Sequence, residues 1–78
     1  MSELTLYGRT SCPYCAKVLR FMQSRNIEIP LKDTTNPENR EELIRIGGKG
    51  QVPCLVIDGK ALYESMDIID WLQNNYAQ

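Results

Sequence analysis

The sequence contains no histidine, which removes the usual general base near neutral pH and the commonest metal ligand. Three cysteines are too few for a fold stapled by several disulfides, and without histidine they cannot supply the four ligands of a structural zinc. Nine Lys and Arg stand against ten Asp and Glu, so the net charge is −1 and there is no basic stripe of the kind that nucleic acids attract. No apolar run approaches the length needed to cross a bilayer, and Met1-Ser2-Glu3 lacks the charged-then-apolar layout of a signal peptide. Repeats, linkers and low-complexity stretches are absent as well. What remains is a chain of 78 residues, 42% hydrophobic and 24% charged, the composition of one small globular domain. A single domain is expected over residues 1–78, monomeric and cytoplasmic, with no nucleic-acid or membrane partner and no metal.

Against that background Cys12-Pro13-Tyr14-Cys15 stands out. A strand-like run, Leu4-Thr5-Leu6-Tyr7, precedes it, and a helix-like run follows. Proline suits the first helical position, because its missing N–H would be unpaired there and its φ is already helical. Cys12 then falls at a helix N-terminus, where free N–H groups and the helix dipole stabilise an anion such as a thiolate. Its pKa should therefore drop below that of a free thiol. Cys15 lies one turn further in, and helical neighbours at that spacing have Cβ atoms about 5–6 Å apart, near the range a disulfide can close. In a reducing compartment such a pair points to thiol–disulfide exchange, with Cys12 attacking and Cys15 resolving. Three other readings of the pair are a metal site, a purely structural disulfide and two core thiols spaced by chance.

The rest of the chain supplies the frame. Leu4 and Leu6 alternate with Thr5 and Tyr7 and predict a first strand ending at Gly8. Cys15, Val18, Leu19 and Met22 form the stripe of an amphipathic helix that ends near Arg25-Asn26, with Lys17, Arg20, Gln23 and Ser24 on its opposite face. Phe21 lies off that stripe. Ile27, Ile29 and Leu31 alternate with Glu28, Pro30 and Lys32 and predict a second strand, confined to a sheet edge by Pro30. Asn36-Pro37-Glu38 reads as the cap and first turn of a second helix, which runs to about Ile46 with Leu43, Ile44 and Ile46 inward and stops at Gly47-Gly48. Cys54-Leu55-Val56-Ile57 and Lys60-Ala61-Leu62-Tyr63 flank Asp58-Gly59, the strongest hairpin signal in the chain. Ser65 is a suitable N-cap for a last helix, with Ile68, Ile69, Leu72 and Tyr76 on one face and Trp71 close to it. The prediction is an α/β fold, βαβ-α-ββα, with one mixed four-stranded sheet in the order 2-1-3-4 and three helices.

With these elements in place the chain resembles a glutaredoxin over nearly its whole length. The resemblance rests on Cys12-Pro13-Tyr14-Cys15 in its strand-loop-helix setting, on Val52-Pro53 before the hairpin, and on the acidic-polar turn opening the last helix. It implies a thioredoxin-like fold and a glutathione-dependent thiol–disulfide oxidoreductase acting on protein disulfides and glutathionylated proteins. It also implies a cis proline at Pro53, a Val52 backbone that pairs with glutathione, Arg9 near the glycine carboxylate of glutathione and Tyr14 as a groove wall. Two departures bring in a second resemblance. Gln51 stands where glutaredoxins commonly have threonine, and Leu62-Tyr63-Glu64-Ser65 replaces their Gly-Gly turn. Gln51-Val52-Pro53 followed by Glu64-Ser65 is similar to the N-terminal domain of glutathione S-transferases, where the acid-serine pair holds the γ-glutamyl end of glutathione. Only this first domain is matched, and no helical second domain is expected within 78 residues.

Glu64 and Ser65 also have an ordinary reading as a solvated charge and a helix cap. Cys54 reads as a core thiol, Lys49 as a loop lysine, and Trp71 and Tyr76 as packing residues. Two other functions fit the family: a redoxin reduced by a flavoprotein reductase in the service of ribonucleotide reductase, and a glutathione-ligated [2Fe–2S] carrier. The Glu64-Ser65 pair argues against the first, and Cys15 with the bulky Pro13-Tyr14 pair against the second.

Overall fold

The computed structural model describes residues 3–75, which form β1 (Leu4–Gly8), α1 (Pro13–Ser24), β2 (Leu31–Asp33), α2 (Pro37–Gly47), β3 (Cys54–Ile57), β4 (Lys60–Tyr63) and α3 (Ser65–Asn75). The sheet order is β2-β1-β3-β4, as the pattern predicts. β1 runs parallel to β2, with Leu6 opposite Leu31, and antiparallel to β3, with Leu6 opposite Leu55. β3 and β4 form the hairpin, and both turn residues have positive φ, +50° at Asp58 and +83° at Gly59, as a tight primed turn requires. No helix among the described residues is long and apolar enough to cross a membrane.

Successive strand residues point to opposite faces, and this divides the core in two. Leu6 and Leu55 face α1 and α3, where they join Val18, Met22, Ile27, Ile29, Ile68 and Leu72. Their neighbours Tyr7, Cys54 and Val56 face the other way and pack with Leu43 of α2. Phe21, off the buried stripe of α1, is half-buried against the larger cluster, with the Arg25 guanidinium 5.1 Å from its ring centroid. Trp71 is half-buried against the same cluster, and Tyr76 lies outside the described residues.

Helix ends follow local chemistry. α1 closes with a Schellman arrangement: Ile27 N–H donates to the Met22 carbonyl (2.9 Å), Asn26 N–H to that of Gln23 (3.3 Å), and Asn26 takes φ +56°. The Asn36 side chain caps α2 by accepting from Glu38 N–H (3.0 Å), and Gly48 ends it at φ +89°.

Three expectations need correction. The second strand begins only after Pro30. Ile27 and Ile29 are buried but lie outside the ladder, while the Pro30 carbonyl accepts from Leu6 N–H (2.9 Å) and Leu31 is 39% exposed. A residue without an N–H cannot sit inside the ladder, so regular pairing starts one residue later. α2 buries only Leu43; Ile44 is half-buried and Ile46 is exposed, because one helix covers little of its face of the sheet. Ser65 is not the cap of α3. The first helical bond runs from Ile68 N–H to the Glu64 carbonyl (3.0 Å), which makes Glu64 the cap, at φ +71°, and Ser65 the first helical residue.

Candidate active site

Cys12 is the N-cap of α1, with extended backbone (φ −86°, ψ 124°) and Pro13 directly after it. Its carbonyl accepts the first helical bond from Ala16 N–H (2.9 Å), and its own N–H donates to the Arg9 carbonyl (3.3 Å). The three cysteines are free thiols, Cys12 half-exposed and Cys15 buried at 1% exposure.

This difference in burial splits the two thiols chemically. Burial alone would raise Cys12. The N–H of Cys15, the Cys15 thiol, the N–H of Tyr14 and the charge of Arg9 outweigh it and hold Cys12 below the ordinary thiol value of 9.0. Cys15 is pushed up to about 11, chiefly by burial. The Arg9 N–H opposes the rise, while the hydrogen bond to Cys12 and the charge beside it add to it. One thiol is thus ready to be a thiolate while its neighbour keeps its proton and donates it to the first sulfur.

Gly8, at the end of β1, makes room for this pair. A Cβ there would stand 3.0 Å from Cys15 Sγ, tighter than ordinary van der Waals contact. The sequence marked Gly8 only as a strand end.

A groove of about 530 Å³ opens beside the first turns of α1 and α3. Tyr14 forms one wall, and Gln51, Val52 and Pro53 lie between it and Glu64 and Ser65. Six residues singled out in the sequence therefore meet in one place, although they come from three separate stretches. The Val52–Pro53 peptide is cis. Val52 precedes the β3 ladder, which starts with Cys54 opposite Tyr63, so its backbone is not used by the sheet. The Tyr63 hydroxyl donates to the Lys49 carbonyl (2.8 Å) and ties the loop that carries Gln51 and Val52 to β4. The Gln51 amide donates to the Glu64 carboxylate (3.1 Å).

Arg9 is not part of this groove. It stands in the β1–α1 loop, where its charge acts on Cys12, Cys15 and Asp33. Lys17 and Met66 line the groove and were not singled out in the sequence. Lys17 carried only the signal of a solvated helix face. Met66 had none beyond its place after Ser65. Lys49 stays outside the groove, its ammonium 4.7 Å from the Tyr63 ring centroid. Cys54 is fully buried and pushed up to about 11 by burial, as a core thiol should be.

The chain matches the family described as glutathione S-transferase, N-terminal domain, over residues 6–78. It is 30% identical over 63 residues to glutaredoxin 3 of Escherichia coli, covering 77% of this chain and 74% of that protein. It is 27% identical over 70 residues to a probable maleylacetoacetate isomerase of Caenorhabditis elegans, covering 90% of this chain and 33% of that protein. Among solved structures it superposes on glutathione transferase Omega 3C from Trametes versicolor with a TM-score of 0.84 at 26% identity, over 95% of this chain and 34% of that one. The chain thus spans about a third of the isomerase and of the transferase. The fold is the thioredoxin-like one these proteins share.

Proposed function

Because the chain belongs to the glutathione S-transferase N-terminal domain family and has a glutaredoxin among its relatives, we propose that it is a glutathione-dependent thiol–disulfide oxidoreductase. The observation that carries this reading is the pair of free thiols at the start of α1, Cys12 partly exposed at the N-cap and Cys15 buried one turn in, next to a groove with a polar end at Glu64 and Ser65.

The Cys12 thiolate attacks the glutathionyl sulfur of a glutathionylated protein. A Cys12–glutathione disulfide forms, the protein–glutathione bond breaks, and the protein cysteine leaves as a thiolate. A second glutathione thiolate then attacks the glutathione sulfur, releasing glutathione disulfide and restoring the Cys12 thiolate. With a protein disulfide as substrate, Cys12 forms a mixed disulfide with one protein sulfur and expels the other. Cys15, once deprotonated, attacks Cys12, frees the reduced protein and leaves a Cys12–Cys15 disulfide for two glutathione molecules to reduce.

The groove suits the ligand. Glutathione carries a carboxylate at each end and an ammonium beside one of them. The Val52 backbone offers strand-like pairing, the α3 N-terminus attracts a carboxylate, and Glu64 attracts the ammonium. A glutathione-coupled disulfide reductase assay tests the proposal. Turnover that saturates with glutathione is expected. Turnover sustained by a flavoprotein reductase but not by glutathione would overturn it in favour of a reductase-driven redoxin.

A further inference from the structure

The groove is lined by one cation, Lys17, and one anion, Glu64. From residue 4 to residue 27 the chain has no Asp or Glu, and Arg9, Lys17, Arg20 and Arg25 fall in that stretch. From residue 61 onward there is no Lys or Arg, and the acids are Glu64, Asp67 and Asp70. α1 and α3 pack side by side, and of these charged residues Lys17 of α1 and Glu64 at the start of α3 line the groove. The first turn of α1 holds no acidic residue, although the helix dipole favours one there. Among the described residues none of Arg9, Lys17 and Arg20 is engaged in a salt bridge, and all three are exposed. Lys17 lines the groove one helical turn beyond Tyr14, and Arg20 is its neighbour one turn further along α1.

On this asymmetry we infer that Lys17 is a specificity-determining residue: it selects glutathionylated protein substrates whose modified cysteine is flanked by carboxylates. The inference rests on the oxidoreductase reading above and names the substrate class for that site. On this reading the glutathionyl group occupies the groove, and a polypeptide that leaves it along α1 passes Lys17 and then Arg20. Tyr14 and Met66, 65% and 52% exposed at the groove walls, add apolar contact that does not discriminate by charge. The bonds made and broken are those already given: Cys12 takes the glutathionyl sulfur, and the acidic peptide leaves as a thiolate.

The test compares two glutathionylated peptides, one with the cysteine between aspartates and one with it between lysines, in glutathione-coupled turnover. The wild-type protein should prefer the acidic peptide in kcat/KM by roughly three- to fivefold, the size expected of exposed charge pairs. Lys17→Glu should invert the preference and Lys17→Gln should abolish most of it. The wild-type preference should shrink as salt is raised from about 0.02 to about 0.5 M. If Lys17→Glu slows both peptides by the same factor, Lys17 only holds glutathione and the inference fails. Equal wild-type rates on the two peptides would overturn it as well, leaving the oxidoreductase reading intact. Absence of glutathione-dependent turnover with either peptide would overturn both.

Discussion

A Cβ atom at Gly8 would lie 3.0 Å from the sulfur of Cys15. The end of β1 and the first turn of α1 approach so closely that the Cys15 thiol takes the space a side chain would fill. Gly8→Ala should therefore destabilise the domain by about 1–3 kcal/mol, the range for overpacking a tight site. It should also disturb Cys15 more than Cys12. Urea unfolding measures the first effect. Comparing dithiol and monothiol turnover measures the second, and an unchanged ratio would show that Cys15 shifts freely.

The two thiols should separate by mutation and by pH. Cys12→Ser should abolish exchange. Cys15→Ser should keep turnover of small glutathionylated substrates and lose reduction of protein disulfides. Alkylation of Cys12 should stay fast at pH values below the ordinary thiol range, because its folded pKa is lowered from 9.0. Arg9→Ala should move that alkylation profile to higher pH, since one of the charges favouring the thiolate is gone, while leaving the groove in place. Superimposable profiles would mean that Arg9 does not act on Cys12.

Stability of the reduced protein should fall as pH rises from 9 to about 11. Cys15 and Cys54 each have a folded pKa of about 11 against an ordinary 9.0, so in this window the unfolded chain sheds protons that the folded chain keeps. The stabilisation is complete below pH 9 and is lost as pH climbs towards the folded values. Cys12 has the opposite sign: its contribution is present above 9.0 and is lost only as pH falls through its lowered folded value, so it does not offset the decline. Denaturant midpoints measured under reducing conditions give the slope. Cys54→Ala should flatten it, and an equal slope in that variant would contradict the assignment.

Glu64 holds φ +71° while accepting the bond from Gln51, a conformation that an L side chain rarely adopts. Glycine is free of that penalty, so Glu64→Gly should be more stable than Glu64→Ala by about 1 kcal/mol. Both variants should weaken glutathione use several-fold and by similar factors, because both remove the carboxylate. Ser65→Ala should do the same to a lesser extent. Thermal unfolding separates the backbone effect from the ligand effect, which is read in the glutathione dependence of turnover. If Glu64→Ala and Ser65→Ala both leave that dependence unchanged, the γ-glutamyl end is not held there.

The features that sequence alone determined are those with a local cause. The Leu4–Tyr7 alternation, the Cys15–Val18–Met22 stripe, the Asn36-Pro37 start, the Asp58-Gly59 turn and the placing of Cys12 at a helix N-terminus each depend on residues within a turn or two of one another. The sheet order followed from these, because Pro30 demanded an edge and the hairpin occupied the other. Tertiary structure decided whatever depended on burial or on meetings between distant segments. It delayed β2 until after Pro30 and left Ile46 in solvent, because how much of a face is covered is not written in its periodicity. It made Glu64 rather than Ser65 the cap of α3. It raised Cys15, because burial in the core beside Gly8 is not written in the local sequence, whereas the lowering of Cys12 follows from its place at the helix start. It also set the membership of the groove, admitting Lys17 and Met66 and leaving out Arg9, because that depends on how α1, the Gln51–Pro53 loop and the start of α3 converge.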